Sequence, residues 1–179
     1  MKLYKKILLV IAGLLAIPFI AALFVKTDFQ IERQVVINKP KQEVFDYVKL
    51  IKNQENYSVW TKADPNTKIE YTGTDGTVGF VSSWKSDNDE VGQGKQELTK
   101  IVEGERLEVK ITFIKPYEAV NNAYTTFETV SPTQTKVANG FKGERGYFAK
   151  IICLFMSMDK MVGEPMQQNL DNLKVLLEK

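Results

Sequence analysis

Asp159 is the ionisable side chain most at odds with its surroundings in this sequence. At ~100° per residue, the carboxy-terminal stretch containing IICLFMSMDKMVGEPMQQNLDNLKVLLEK reads as one long amphipathic helix with a break at Gly163-Glu164-Pro165. Phe148, Ile151, Ile152, Phe155, Met158, Val162, Met166, Leu170, Leu173, Leu176 and Leu177 fall on one stripe, and Asp159 lies on that same side. An unpaired carboxylate in apolar surroundings must be paired, hydrogen-bonded or protonated. Three roles are open to it: a link to a loop amide, lysine, arginine or tyrosine that fixes the helix; a polar anchor for one end of a bound ligand; or an acid or base. The last needs a second group beside it, and the sequence names none.

The other reactive groups narrow the chemistry further. There is no histidine, which removes serine–histidine and cysteine–histidine catalysis and the commonest transition-metal ligand. Cys153 is the single cysteine, so neither an intramolecular disulfide nor a cysteine-based zinc site is available, and it reads as a small core hydrophobe. Asp87, Asp89 and Glu90 are close together but lack the remaining ligands of a calcium loop, and read as a solvated hairpin turn. The glycines of GTDG and GQG are turn residues rather than a phosphate cradle between strand and helix. No metal, cofactor or catalytic constellation is expected, which favours binding over catalysis.

The chain's 44% apolar and 26% charged residues over 179 positions suit one globular core preceded by a special segment. Residues 7–25, ILLVIAGLLAIPFIAALFV, carry no charge and are long enough to cross a hydrocarbon layer of ~30 Å as a helix. Residues 1–6 form a basic start, and by the positive-inside tendency they stay in the cytoplasm while the rest is exported. A cleaved signal peptide is the competing reading. Against it, no A-x-A pair occurs, and Ala22, the best small-residue candidate, has Ile20 two places before it. Lys2, Lys5, Lys6 and Lys26 are the only charges up to position 26; removing these four from 24 basic residues leaves 20 against 22 acidic ones. So slightly acidic a domain is unsuited to nucleic acid.

Beyond the anchor the pattern alternates with period two, then three to four, then two again. Phe29, Ile31, Arg33, Val35 and Ile37 predict a strand; NKPKQEVFDYVKLI predicts a helix, with Asn38 as its cap; part of NQENYSVW predicts a second short one. Strands are expected at 67–72, 78–85, 95–102, 107–115, 124–130 and 135–142, separated by turn residues. With 29–37 these make seven, and such short links impose antiparallel pairing. The expected class is α+β: a seven-stranded curved antiparallel sheet wrapped around the carboxy-terminal helix, a helix-grip fold.

The segments VINKPKQEVFDYV, YSVWTKADPNTKIEYTG, GTVGFVSSW, VGQGKQEL, FIKPYEA and MDKMVGEPMQQNLDNLK together resemble the polyketide cyclase/dehydrase-like branch of the SRPBCC, or START-like, superfamily. The resemblance covers residues 29–179 and implies a deep, largely apolar cavity between sheet and helix, of the kind used for lipids, sterols and polyketides. It does not imply cyclase chemistry, because no catalytic motif of a cyclase matches.

Candidate pocket residues are Trp60, Tyr71, Phe80, Trp84, Phe113, Phe127 and Phe141 from the sheet side, and Phe155, Asp159 and Met166 from the helix. For each aromatic the competing role is plain core packing. Tyr124 and Phe127 cannot both be judged by alternation, since one residue of slack in the SPTQ turn exchanges the faces; Phe127 is chosen by its match to similar proteins. Trp60 to Pro65 can instead form an ordered rim. The leading function is a membrane-tethered binding or transport module for a hydrophobic small molecule such as a lipid, an isoprenoid or a polyketide-like compound. A cyclase- or dehydrase-type enzyme using the same pocket, and a non-catalytic envelope or structural protein, are the alternatives.

Overall fold

In the computed structural model the alternating stretch at the start of the domain becomes strand β1 (Asp28–Ile37), with Ile31 and Ile37 buried on its inner side. Residues 3–88 and 91–179 are described; Met1, Lys2, and Asp89 and Glu90 of the acidic turn lie outside them, as does the side chain of Leu9. Helix α1 (Leu3–Ala22) precedes β1 and contains Pro18; it is long and apolar enough to cross a membrane. It starts before the uncharged run and ends short of it, the chain closing with tight turns through Val25.

After β1 comes α2 (Lys41–Lys49), whose helical spacing buries Val44, Phe45 and Val48. Asn38 does not cap it; Pro40 holds the cap position, and Asn38 instead donates its amide to Glu178 and accepts from Gln134 Nε2. The second short helix is three pieces: a 3-10 turn at Ile51–Asn53, α3 (Gln54–Tyr57) and α4 (Val59–Lys62).

Strands β2 (Lys68–Thr72), β3 (Val81–Lys85), β4 (Gln93–Val102), β5 (Arg106–Lys115), β6 (Ala119–Ser131) and β7 (Gln134–Glu144) follow in succession. Each pairs antiparallel with the next, and β1 closes the other edge on β7, giving the order β1-β7-β6-β5-β4-β3-β2. Register shifts in β4 and β6 are the kind of bulge that bends and twists a sheet. Strand β6 starts earlier than its apolar pattern suggests, because the segment Ala119-Val120-Asn121-Asn122, which shows no alternation, still completes the ladder with Phe113 to Lys110.

The carboxy-terminal stretch is not one continuous helix. Helix α5 (Tyr147–Cys153) ends in a turn, a widened π turn runs from Asp159 to Gly163, and α6 (Glu164–Leu177) completes the chain. Ser157 explains the division: its hydroxyl oxygen accepts the Asp159 amide at 3.1 Å, offering the backbone a partner that competes with continued winding. The Glu164 amide then reaches the Asp159 carbonyl five residues back, and Pro165, which has no amide hydrogen, falls harmlessly in the first turn of α6.

Leu170 and Leu173 of α6 join Ile37, Val44, Phe45, Phe80, Leu98, Leu107, Phe127 and Val137 in one core. Asn169 and Asn172 lock α6 to the short helices, accepting from the Val59 amide at 2.7 Å and donating to the Tyr57 carbonyl at 2.9 Å respectively.

Candidate functional site

The inner face of the sheet changes character along its strands. At one end Ile37, Leu98, Leu107, Phe127 and Val137 are buried against α2 and α6. At the other end β1 begins, β7 runs into α5, and the β5–β6 hairpin turns; there the inward residues Phe29, Phe113 and Phe141 are only half-buried. Trp84 of β3 joins them, with its ring 5.9 Å from Phe113 in an edge-on arrangement, while Phe29 and Phe141 sit 5.5 Å apart. Trp84 occupies its place because Gly94 across the ladder has no side chain: a Cβ there would lie 2.5 Å from the indole and 2.6 Å from the Thr112 carbonyl oxygen.

Arg33 stands at an inward position of β1, in line with Ile31 and Val35, and pairs with Asp159 at the start of the π turn. Their side chains are 26% and 61% exposed, so the pair spans from the inner face to solvent rather than lying in the core. Gly163 makes room for it, since a Cβ at that position would stand 2.9 Å from Asp159 Oδ1 and run into the Arg33 guanidinium. On the same inner face, Asn121 is 7% exposed and its carbonyl oxygen has no hydrogen-bond partner among the described residues.

The predicted site residues separate into groups. Phe80, Phe127 and Met166 are buried, with Phe127 edge-on to Phe45 at 5.2 Å. Tyr71 is half-buried and stacks on Phe80 at 5.8 Å; its hydroxyl donates to Glu55, and burial followed by that carboxylate pushes its pKa well up. Trp84, Phe113 and Phe141 line the half-buried end. Phe155 and Asp159 border a crevice of about 590 Å³ between the end of α1 and the α5–π-turn connection, where Lys26 and Arg145 also lie. Trp60, in α4, is 46% exposed and lines neither the inner face nor the crevice. Tyr124 lies on the outer face, its ring beneath the Arg106 guanidinium at 4.2 Å and its hydroxyl donating to Glu32. Among the described residues no group of histidine, cysteine, aspartate and glutamate could hold a metal ion.

Arg33 and Asn121 are not among the residues that the sequence singles out. Arg33 was visible as the one charge in the inward series of β1; Asn121 was hidden in a segment that reads as a link.

No protein-family model matches the chain, and no curated protein matches it. Solved structures do. Norcoclaurine synthase from Thalictrum flavum superposes with a TM-score of 0.64 at 10% identity, over 86% of this chain and 96% of that one. A hypothetical protein from Helicobacter pylori gives 0.61 at 13% identity over 84% and 88%, and Ara h 8.0201 gives 0.55 at 12% over 84% and 97%. At such identities the likeness establishes the fold, a helix-grip domain of the Bet v 1/START type; the apolar helix α1 precedes it in this chain. The synthase has also been solved in complex with dopamine and hydroxybenzaldehyde.

Proposed function

We propose that this chain is a membrane-tethered binding or transport module of the SRPBCC type, holding a hydrophobic small molecule between the sheet and the carboxy-terminal helices. The observation that carries the reading is the gradient along the inner face: a sealed core at one end, and half-buried aromatic rings at the end nearest α1. Apolar surface left partly open inside a fold, with a few polar groups converging on it, is the usual construction of a small-molecule site. Phe29, Trp84, Phe113 and Phe141 supply the apolar wall, Asn121 an unpaired acceptor for a ligand hydroxyl or amide, and Arg33 with Asp159 a polar closure. The lipid, isoprenoid and polyketide-like classes all fit such a wall.

Native mass measurement of the full chain released from mild detergent tests the reading, followed by solvent extraction and identification of what leaves. The expected result is a stoichiometric apolar ligand, lost from a Trp84→Ala/Phe113→Ala variant that still unfolds cooperatively. A folded chain that carries no ligand, and takes up neither an added fatty acid nor an added isoprenol, would overturn it.

A further inference from the structure

The large apolar side chains that the domain leaves in solvent are concentrated at one end. Phe148, Phe155 and Met156, on and after α5, are 72%, 75% and 52% exposed. Ile114, Tyr117 and Val120, around the β5–β6 hairpin, are 49%, 71% and 55% exposed. The register puts both groups at the same end of the sheet, since Asn121 opposes Gly143 and Asp28 opposes Glu144, after which only Arg145 and Gly146 precede α5. That end is also where α1 joins. Tyr147 Oη donates to the Phe19 carbonyl and Lys150 Nζ to Thr27 Oγ1, each at 2.8 Å, while Arg145 donates to the Lys26 and Asp28 carbonyls at 3.1 Å. Leu23 and Phe24, 66% and 84% exposed, stand at the exit of α1 on this same end.

We infer that this end of the domain is a second membrane contact: α5 with its following turn, and the β5–β6 hairpin tip, enter the interfacial layer of the leaflet from which α1 emerges. Large apolar side chains left exposed together at one end of a folded domain mark an interaction site. A bilayer is the occupant that continuity with α1 selects, because a helix crossing the membrane holds everything hydrogen-bonded to its last turns at the lipid surface. The charges at this end are mixed, Lys26, Lys115, Arg145 and Lys150 standing against Asp28, Glu118 and Glu144. The contact is therefore driven by apolar burial, with aromatic rings at headgroup level, more than by attraction to anionic lipid. Its consequence is that the half-buried aromatic end of the inner face, and the crevice beside Phe155 and Asp159, open onto lipid rather than water. This inference rests on the proposed reading of α1 as a retained anchor.

Spin-label accessibility in the full chain, reconstituted in phosphatidylcholine–phosphatidylglycerol vesicles, tests it. On a Cys153→Ser background, nitroxides are placed at Phe148→Cys and Phe155→Cys, with Leu14→Cys in α1 and Val130→Cys by the β6–β7 hairpin as references. The hairpin is at the far end of β7, an 11-residue strand and so roughly 35 Å away. The expected result is that labels at 148 and 155 favour collision with oxygen over a water-soluble nickel chelate, as at position 14, while position 130 shows the reverse. A label on native Cys153 in the unsubstituted chain gives the same comparison without any variant. If 148 and 155 behave like 130 while 14 reports lipid, the anchor stands and the inference fails. If both are shielded from both reagents, a second copy or another protein covers this end, and the inference fails again. A water-like position 14 would overturn the anchor and this inference together.

Discussion

The Arg33–Asp159 pair is the residue-scale answer to a carboxylate on an apolar helix face, and its exposure sets what it is worth. A buried pair broken on one side loses ~3–5 kcal/mol, whereas pairs open to solvent contribute ~0–1 kcal/mol. With Asp159 61% exposed, Asp159→Asn is expected to cost about 0.5–1 kcal/mol in denaturant unfolding. Gly163→Ala offers an independent probe. It gains ~0.8–1 kcal/mol of helix propensity, but its methyl displaces the mobile end of Arg33 and so breaks the pair. Stability should stay close to that of the unsubstituted chain, and Asp159→Asn should cost nothing further in the Gly163→Ala background. Equal costs in the two backgrounds would mean that Asp159 acts through something other than Arg33. Both partners were legible in the sequence, Arg33 as the odd member of a strand's inward series and Asp159 as the odd member of a helix stripe. Their union was not, because it depends on how the π turn sits over β1, and no period in either segment encodes that.

At the scale of elements, the strands were legible where alternation and turn residues coincide, and illegible where a segment without alternation completes a ladder, as in the first four residues of β6, two apolar and then two asparagines. The division of the last helical stretch was hidden for a similar reason: the apolar stripe continues through Phe155 and Met158, and a single serine hydroxyl redirects the backbone between them. The wall of the inner face likewise mixes core with candidate site, which substitution can separate. Phe127→Ala removes a ring that is 3% exposed and should destabilise the domain by ~3–5 kcal/mol. Phe113→Ala removes a half-buried ring at the open end; its cost should be well below that, and under the proposed function the uptake of an apolar ligand should fall. Comparable losses of stability at the two positions would show that the open end is ordinary core.

The clasp between α6 and β1 has its own pH signature. Glu178 accepts the Asn38 amide at 2.6 Å and also pairs with Lys174, so its carboxyl is held below the ordinary carboxylate range. A depressed folded-state pKa adds stability above the unfolded value of ~4.3, and that stability is lost as pH falls through the folded value. The stability advantage over Glu178→Gln should thus be full at neutral pH and shrink steadily below pH ~4. A difference that does not change with pH would mean that the clasp depends on shape rather than charge.

The whole molecule joins an apolar helix to a helix-grip domain, a fold that serves unrelated functions, so what sets this chain apart is how the two parts meet. Ala22 is fully buried, Tyr147 holds the Phe19 carbonyl, and α5 packs beside the final turns of α1. A domain released by cleavage near Leu23 would expose the side of α5 that now faces these turns, adding to an end already rich in solvent-exposed aromatic rings. Retention of α1 avoids that exposure. The charge distribution gives a direction as well, since Lys5 and Lys6 precede the apolar run while a nearly neutral domain follows it. The full chain is therefore expected to stay in the membrane fraction after an alkaline wash. In sealed inside-out vesicles its domain should resist added protease until detergent opens the membrane. A washed-off chain whose first residue lies near Leu23 would show that α1 is a signal sequence. Digestion of the domain in intact inside-out vesicles would reverse the orientation, while leaving retention and the contact between α1 and α5 untouched.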